Sequence, residues 1–121
     1  MNKYGRITIL ENGRVHYDVL VLEKPITLEE MQLHCGDIIT MPCRTVGGVP
    51  FYFVVDDCGL LRDNPKLALF VEQYETALFG NVLICRVDNV GETIGLTDEE
   101  LQIIQDNMFY TTTYNAYIIL S

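Results

Sequence analysis

The chain has 121 residues, of which 49% are hydrophobic and 21% are charged. This composition excludes an intrinsically disordered chain, and the length fits one domain spanning residues 1–121. The 17 acidic side chains outnumber the 8 basic ones, and the net charge of −9 argues against direct binding to nucleic acid phosphates.

The first 22 residues predict a β-hairpin. Residues 6–10 and 15–22 are rich in β-branched and other apolar side chains, which favour strands. Asn12-Gly13 lies between them, and this pair readily adopts the positive φ angles of a tight turn. We therefore expect two antiparallel strands at the N-terminus.

A short helix is predicted after this hairpin. Thr27 and Glu30 have the spacing of a capping box, in which each side chain accepts a hydrogen bond from the other residue's backbone N–H. Gly36 is expected to end this helix in the left-handed conformation, since glycine adopts positive φ without steric cost.

The middle of the chain predicts further strands. Residues 38–41 read as a strand and residues 45–50 as a loop. Residues 51–55 are aromatic or β-branched and apolar throughout, which predicts a strand with both faces covered. A turn is expected to end at Gly59 with positive φ, and residues 60–61 are expected to begin the returning strand.

Residues 62–80 fit two alternatives. Asn64-Pro65 could begin a helix that ends at Gly80, because the apolar residues between them recur at helical spacing. Residues 67–71 fit a strand equally well, and periodicity does not decide between the two structures.

The last third of the chain predicts a strand, a helix and a final strand. Residues 81–87 form the strand, and Thr97 with Glu100 repeats the capping box. The apolar face of that helix comprises Leu101, Ile104 and Met108. Tyr114 to Leu120 reads as the closing strand. Together these elements predict an α+β fold with a mostly antiparallel sheet and two or three short helices.

No targeting segment is recognised in the sequence, and the longest apolar runs are too short to cross a membrane. We therefore expect a cytoplasmic protein that does not bind a membrane. In that compartment the four cysteines, Cys35, Cys43, Cys58 and Cys85, are expected to be reduced thiols.

No sequence motif indicates a metal, a cofactor or a catalytic centre. The cysteines and the two histidines lack the spacing that places metal ligands on one turn, so the cysteines are read as small buried hydrophobes. Phosphate-binding glycine loops and hydrolase signatures are also missing. We expect no bound metal, no cofactor and no enzyme activity.

The Asp56-Asp57-Cys58 turn provides the alternative of a small enzyme. Its two carboxylates could hold Mg²⁺, and Cys58 could act as a nucleophile. Against this, adjacent negative charges raise the pKa of a thiol, and a hairpin turn explains the same residues without chemistry.

Tyrosines near the C-terminus predict a partner-binding surface. Tyr110, Tyr114 and Tyr117 lie close together in sequence, and tyrosine is enriched at interfaces because it combines rigid area with a polar tip. The terminal strand could be an inner strand or an edge that pairs with a second copy, and the inner strand is favoured.

Charge is distributed unevenly along the chain. Residues 1–48 carry a net charge of −1, whereas residues 49–121 carry −8. Solubility explains this excess of acids, and an acidic surface that imitates DNA is the alternative.

A series of turns and caps occurs in a recognisable order. The motifs are Leu28-Glu29-Glu30-Met31-Gln32, Gly36-Asp37-Ile38-Ile39, Val54-Val55-Asp56-Asp57-Cys58-Gly59-Leu60-Leu61, Asn64-Pro65, Phe79-Gly80-Asn81-Val82-Leu83-Ile84 and Gly95-Leu96-Thr97-Asp98-Glu99-Glu100-Leu101. Over about residues 14–108 this order resembles an uncharacterised family of domains of unknown function. The family occurs in phages, plasmids and integrated elements of Firmicutes, especially gut species.

The resemblance implies an accessory protein of mobile DNA. It transfers no catalytic residues, because the family has no established activity. The chain departs from the family pattern at Cys35, at Cys58 and in the extension from Tyr110 to Ser121.

The sequence thus predicts a non-enzymatic accessory module that binds a protein partner. A second copy of the chain, which would give a homodimer, is one such partner. An acidic mimic of DNA that inhibits a host defence enzyme is one alternative, and a small enzyme that uses the Asp56-Asp57-Cys58 turn is the other.

Overall fold

A computed structural model describes residues 1–111 and 116–121 of the chain. These residues form eleven strands, two α-helices and two short 3-10 turns. The strands are β1 (Asn2–Ile9), β2 (Val15–Leu22), β3 (Ile39–Thr40), β4 (Cys43–Val46), β5 (Val49–Asp56), β6 (Leu67–Val71), β7 (Thr76–Phe79), β8 (Val82–Val87), β9 (Thr93–Ile94), β10 (Met108–Tyr110) and β11 (Ile118–Leu120). The helices are α1 (Leu28–Cys35) and α2 (Asp98–Asp106).

The described strands form two sheets. The larger sheet has the order β2-β1-β8-β5-β3, with β4 also paired to β5 and β9 to β8, and all of its pairs are antiparallel. The smaller sheet has the order β10-β11-β6-β7, in which β11 and β6 are parallel. The predicted α+β fold, with a mostly antiparallel sheet and short helices, is confirmed.

Two apolar cores cover the two faces of the larger sheet. The first contains residues of both sheets together with Ile104 of α2, and the second contains residues of the larger sheet together with Met31 of α1. Along β5, Phe51 and Phe53 enter the first core and Val54 enters the second. This alternation explains why β5 is apolar throughout, as predicted for a strand that is covered on both faces.

Local signals in the sequence located the N-terminal hairpin and both helix starts correctly. Gly13 has a φ of 81° in the turn between β1 and β2, and its N–H donates to Leu10 O at 2.9 Å. Both capping boxes are present, with Thr27 bonded reciprocally to Glu30 and Thr97 to Glu100. Neither described helix has the length or the apolar composition required to cross a membrane.

The ends of the two helices differ from the prediction. Gly36 does end α1 and has a positive φ of 141°, but its ψ of 164° is extended instead of left-handed helical. In α2, Met108 does not lie on the helix face, because the helix ends at Asp106 and Met108 begins β10. Asn107 caps this end, since both its backbone N–H, at 3.2 Å, and its side-chain amide, at 2.7 Å, donate to Ile103 O.

Residues 45–50 were predicted as a loop, and this prediction is wrong. Val46 and Val49 are paired at the end of a tight hairpin between β4 and β5. Gly47 and Gly48, with φ of 57° and 81°, form its turn. Two consecutive positive φ angles are what a two-residue hairpin turn requires, so the glycines join two strands instead of separating them.

The turn after β5 also differs from the prediction. Gly59 does not have positive φ, and glycine is needed there because a Cβ atom would lie 2.8 Å from Phe79 O. Leu60 and Leu61 do not begin a strand. They belong to a 3-10 turn, where their side chains are exposed, and the returning strand starts only at Leu67.

The ambiguous segment forms a strand hairpin, so the strand alternative is correct. Leu69 and Val71 of β6 are buried between the sheets, and β6 pairs with both β7 and β11. The closing strand is shorter than predicted and comprises Ile118–Leu120. It lies between β10 and β6, which confirms the favoured inner position. The start predicted for this strand, Tyr114, lies outside the described residues.

Candidate interaction surface

The Asp56-Asp57-Cys58 turn lies directly after β5, where Asp56 has a structural role. Asp56 Oδ2 accepts a hydrogen bond from Arg62 Nε at 2.8 Å, and Oδ1 accepts one from the Cys58 N–H at 3.0 Å. The Arg62 guanidinium holds the pKa of Asp56 below its ordinary value. Both oxygens of this carboxylate therefore stabilise the turn. Over residues 1–111 and 116–121, no cluster of three or more His, Cys, Asp or Glu side chains is arranged to hold a metal ion.

The four cysteines are free thiols in two kinds of environment. Cys35 and Cys85 are buried in the second core, and burial raises the pKa of each thiol to about 12. Cys35 Sγ donates to Val54 O at 3.3 Å. These two residues therefore act as small apolar side chains, whereas Cys43 and Cys58 are half-buried.

The edge of the larger sheet at β2 is the longest strand edge of the described fold. Among the described strands, only β1 pairs with β2. Leu10 N donates to Arg14 O at 2.8 Å at the start of this pairing. Antiparallel pairs alternate in hydrogen bonding, so the even-numbered residues of β2 bond to β1. The backbone N–H and C=O groups of Val15, Tyr17, Val19 and Val21 therefore point outward, and we call this row the open edge.

Apolar side chains flank the open edge on the face that meets the smaller sheet. Val21 is 49% exposed, and Tyr110 of β10 is 54% exposed. Tyr110 is close to Tyr17, and burial together with this neighbour raises the pKa of Tyr17 to about 12. The Tyr17 hydroxyl is buried and has no hydrogen-bond partner among the described residues. The β2 edge of the larger sheet and the β10 edge of the smaller sheet therefore lie on the same side of the molecule.

A groove of about 260 Å³ flanks the open edge on the opposite face, between α1 and β2. Leu20 and Leu22 of β2 line it, and so does Leu33 of α1, which is 90% exposed. Leu33 is the most exposed large apolar side chain among the described residues. This groove gives a second apolar surface beside β2.

Polar side chains in the groove are held by the protein itself. Arg6 donates to both carboxylate oxygens of Asp18, at 2.9 and 2.6 Å. His34 Nε2 lies 3.1 Å from Ile7 O, and because a carbonyl only accepts, this nitrogen carries the proton. Burial lowers the pKa of His34. Asn81 donates to His34 O at 3.0 Å and accepts from Ile9 N at 2.8 Å, which fixes α1 above β1.

The two strands β2 and β10 carry almost no net charge. β2 contains a single acidic residue, Asp18, and Arg6 neutralises it. The sequence from Asn107 to Ser121, which contains β10 and β11, has no Asp, Glu, Lys or Arg. We call β2 and β10 together the neutral side. In a chain of net charge −9, an uncharged side with exposed apolar residues indicates an interaction surface.

The three tyrosines predicted to bind a partner are placed differently from one another. Tyr110 is exposed on the edge strand β10 and belongs to the neutral side. Tyr117 is half-buried just before β11, where its N–H donates to Thr111 Oγ1 at 2.9 Å. Tyr114 lies outside the described residues.

The open edge itself was missed in the sequence analysis. The strand Val15–Leu22 contains neither lysine nor proline, the residues with which proteins usually protect an edge. The uncharged stretch after Asp106 is also readable from the sequence. Together these two signals indicate a surface near β2 and β10.

Residues 1–111 and 116–121 thus form an α+β fold with two sheets, two short helices and a long strand edge that carries no lysine or proline. A model of the family DUF3846, a domain of unknown function, matches residues 6–109. Since this match covers most of the 121 residues, the chain belongs to that family. No curated protein and no solved structure matches the chain. The match also includes most of β1, which lies before the region of about residues 14–108 expected from the motifs.

Proposed function

We propose that this chain is a non-enzymatic accessory module that binds an extended segment of a protein along the open edge of β2. The observation that carries this proposal is the neutral side, where an eight-residue strand edge and exposed apolar side chains coincide in a chain of net charge −9. Strand addition to a sheet edge is a common mode of peptide recognition.

The two faces of β2 would supply specificity in this binding mode. Successive side chains of an added strand point to opposite faces of the sheet. On one face they would meet Tyr17 and Tyr110, and on the other they would meet the groove beside Leu20 and Leu33. Backbone hydrogen bonds to the outward groups of β2 would supply affinity independently of the sequence that is bound.

The residues with altered pKa values support a binding role over catalysis. Asp18 and Asp56 have lowered pKa values because Arg6 and Arg62, respectively, donate hydrogen bonds to them. The raised pKa of the Cys35 thiol results from burial in the core. Structural interactions therefore account for these shifts. The resemblance to domains of phages, plasmids and integrated elements of Firmicutes supports an accessory role in mobile DNA.

An acidic mimic of DNA is the second candidate function, and the net charge of −8 on residues 49–121 favours it. Its acids, however, lie in separate turns and in α2, and several already pair with cations of the chain. Asp98 bonds to Lys3 and Glu100 to Arg86. This candidate predicts salt-sensitive inhibition of a DNA-binding enzyme, whereas strand addition predicts little dependence on salt.

A matched pair of lysine substitutions tests the proposed function. Val21→Lys places a charge on the open edge, and Thr40→Lys places the same charge on exposed β3 at the opposite edge. The tagged full-length chain and both variants are used to capture proteins from a Firmicute lysate, with circular dichroism as a check of folding. Loss of a captured protein in Val21→Lys alone supports the proposal. Equal capture by both variants, or a strictly monomeric wild type that captures nothing, refutes it.

A further inference from the structure

We infer that the open edge binds β2 of a second copy, so that two chains form one continuous antiparallel sheet about a two-fold axis at Tyr17. This inference rests on the proposed function and names the partner of the same surface. The observation behind it is that β2 carries one histidine and one carboxylate, spaced so that each imidazole meets a carboxylate when the strand pairs antiparallel with its own copy.

The charges of β2 lie on the face that carries α1. His16 and Asp18 are two residues apart, so both side chains point to that face. His16 is exposed, and Asp18 is half-buried and bonded to Arg6. In an antiparallel pair centred on Tyr17, His16 of each chain lies opposite Asp18 of the other. The basic and acidic side chains therefore meet twice, once on each side of the axis.

Neighbouring registers satisfy fewer of these side chains. A pair centred on His16 places Asp18 opposite Arg14 but leaves the two His16 side chains opposite each other. A pair centred on Asp18 places the two Asp18 carboxylates directly opposite each other, which is unfavourable. A pair centred on Val19 places Asp18 opposite Leu20 and His16 opposite Leu22. If one strand were shifted by a single residue relative to the other, the face of one copy that carries α1 would continue into the opposite face of the second copy. The register centred on Tyr17 is therefore the one in which the polar side chains of β2 find partners.

The backbone and the apolar side chains fit the same register. In this register Val15 lies opposite the partner's Val19, and Tyr17 lies opposite the same residue of the second copy. Because the backbone groups of these residues point outward, each pair can exchange two hydrogen bonds, which gives about six in all. The two Tyr17 rings would lie on the face that meets the smaller sheet, next to Tyr110. β-branched and aromatic cross-strand pairs of this kind stabilise sheets.

Long-range electrostatics favour the same arrangement. Two chains of net charge −9 repel each other, so the least repulsive contact is through their uncharged sides. The neutral side has no charged residue on β10, and the single carboxylate on β2 is neutralised by Arg6. The acids of residues 49–106 lie outside β2 and β10.

Two opposite substitutions of His16 test both the dimer and its register. Sedimentation equilibrium of the full chain at physiological ionic strength, where the repulsion between the two acidic chains is screened, is expected to show a monomer–dimer equilibrium. His16→Lys places a permanent positive charge opposite the partner's Asp18 and should tighten the dimer, whereas His16→Glu should weaken it. Two cross-strand pairs per dimer imply changes of about two- to thirty-fold in the dissociation constant. Thr40→Lys and Thr40→Glu on exposed β3 are the matched controls and should leave it unchanged.

Each outcome decides the inference. Opposite shifts for the two His16 variants, with no shift for the Thr40 variants, support pairing at Tyr17. In the registers centred on Asp18 or Val19, both His16 variants place a charge opposite a leucine and should both weaken the dimer, which would overturn the register. A wild type that stays monomeric but captures another protein through Val21 overturns the second copy as the partner and leaves the proposed function intact.

Discussion

The two edges of the larger sheet are protected to very different degrees. At one edge β2 is an unbroken strand of eight residues with outward backbone groups and apolar flanks. At the other, which we call the closed edge, β3 and β4 contain only two and four residues. Met41-Pro42 separates these short strands, and proline has no N–H to offer a neighbouring strand.

Side chains also tie the closed edge to the rest of the fold. Arg44 of β4 donates through Nε to Thr76 Oγ1 of β7 at 2.8 Å, and its guanidinium lies 5.7 Å from the centre of the Tyr74 ring. This arginine therefore connects the two sheets. At the open edge Tyr17 lies near Tyr110, but the buried Tyr17 hydroxyl has no described hydrogen-bond partner. The two edges therefore differ both in strand length and in how side chains tie them to the smaller sheet.

The largest difference between the edges is expected at their hairpin turns. Gly47, in the turn next to the closed edge, has a φ of 57°, and a Cβ atom there would lie 2.6 Å from Ile103 Cγ2. Gly13, in the turn of the open edge, has a φ of 81° and open space around it. Gly47→Ala should reduce the free energy of unfolding by about 2–4 kcal/mol and Gly13→Ala by about 1–2 kcal/mol. Urea denaturation measures both, and equal losses would contradict the contrast between the two turns.

Removal of an arginine should have an intermediate effect that differs between the edges. Arg44→Ala eliminates the hydrogen bonds to Thr76 and Cys43 O and the contact with Tyr74, which should cost about 1–2 kcal/mol. Arg14→Ala at the exposed start of the open edge should cost less than about 0.5 kcal/mol. Chemical denaturation at neutral pH gives both values. If Arg14→Ala proves as costly as Arg44→Ala, the open edge is tied to the fold more firmly than its contacts indicate.

Stability should depend on pH near neutrality because of His34, which lines the groove beside the open edge. Burial lowers the pKa of His34 in the folded chain, so the unfolded chain binds this proton more readily. Stability should therefore fall as the pH decreases from about 6.5 toward the lower folded pKa of His34. The lowered pKa values of Asp18 and Asp56 cause a separate loss below about pH 4, at both edges.

His34→Gln retains an N–H donor for Ile7 O and removes the titrating ring. The unfolding free energy of this variant is measured from pH 8 to 3. Between pH 8 and 5 it should change less than that of the wild type, while the loss below about pH 4 should remain. A variant with the same slope as the wild type above pH 5 would mean that His34 does not titrate differently in the folded chain.

Sequence signals of short range predicted the local structure well. The capping boxes at Thr27 and Thr97 and the turn at Gly13 depend on residues only a few positions apart, and all three are confirmed. Not every local structure was predicted, since the hairpin at Gly47-Gly48 was predicted as a loop. Sequence signals also left the structure open where a distant partner decides. Residues 67–71 fit a helix or a strand until β11, which lies far along the chain, pairs with β6. Strand pairing at this separation leaves no periodic trace in the sequence.

The interaction surface could be predicted only in part for the same reason. Tyr110 was named from composition, and it does lie on the neutral side. The open edge depends on topology, because β1 has β8 as its second neighbour and this leaves β2 at the margin of the sheet. A sequence of eight strand-forming residues does not reveal which strand has one neighbour and which has two.

The smallest effect on stability is expected for removal of the Tyr17 hydroxyl. This substitution tests whether that hydroxyl lacks a hydrogen-bond partner in the folded chain. This oxygen is buried beside Tyr110 without a partner among the described residues, so its desolvation is not repaid by a hydrogen bond. Tyr17→Phe should therefore change the unfolding free energy by less than about 0.5 kcal/mol, or raise it. Denaturation is measured at a concentration where sedimentation shows only monomer, so that pairing between copies does not contribute.

As a comparison, Tyr4→Phe removes a hydroxyl that accepts a hydrogen bond from Ile26 N at 3.0 Å and should cost about 1–2 kcal/mol. If Tyr17→Phe lowered the unfolding free energy as much as Tyr4→Phe, the Tyr17 hydroxyl would have to be hydrogen-bonded in the folded chain. The open edge would then be tied to the fold by a hydrogen bond, as the closed edge is through Arg44, and one contrast between the two edges would be lost.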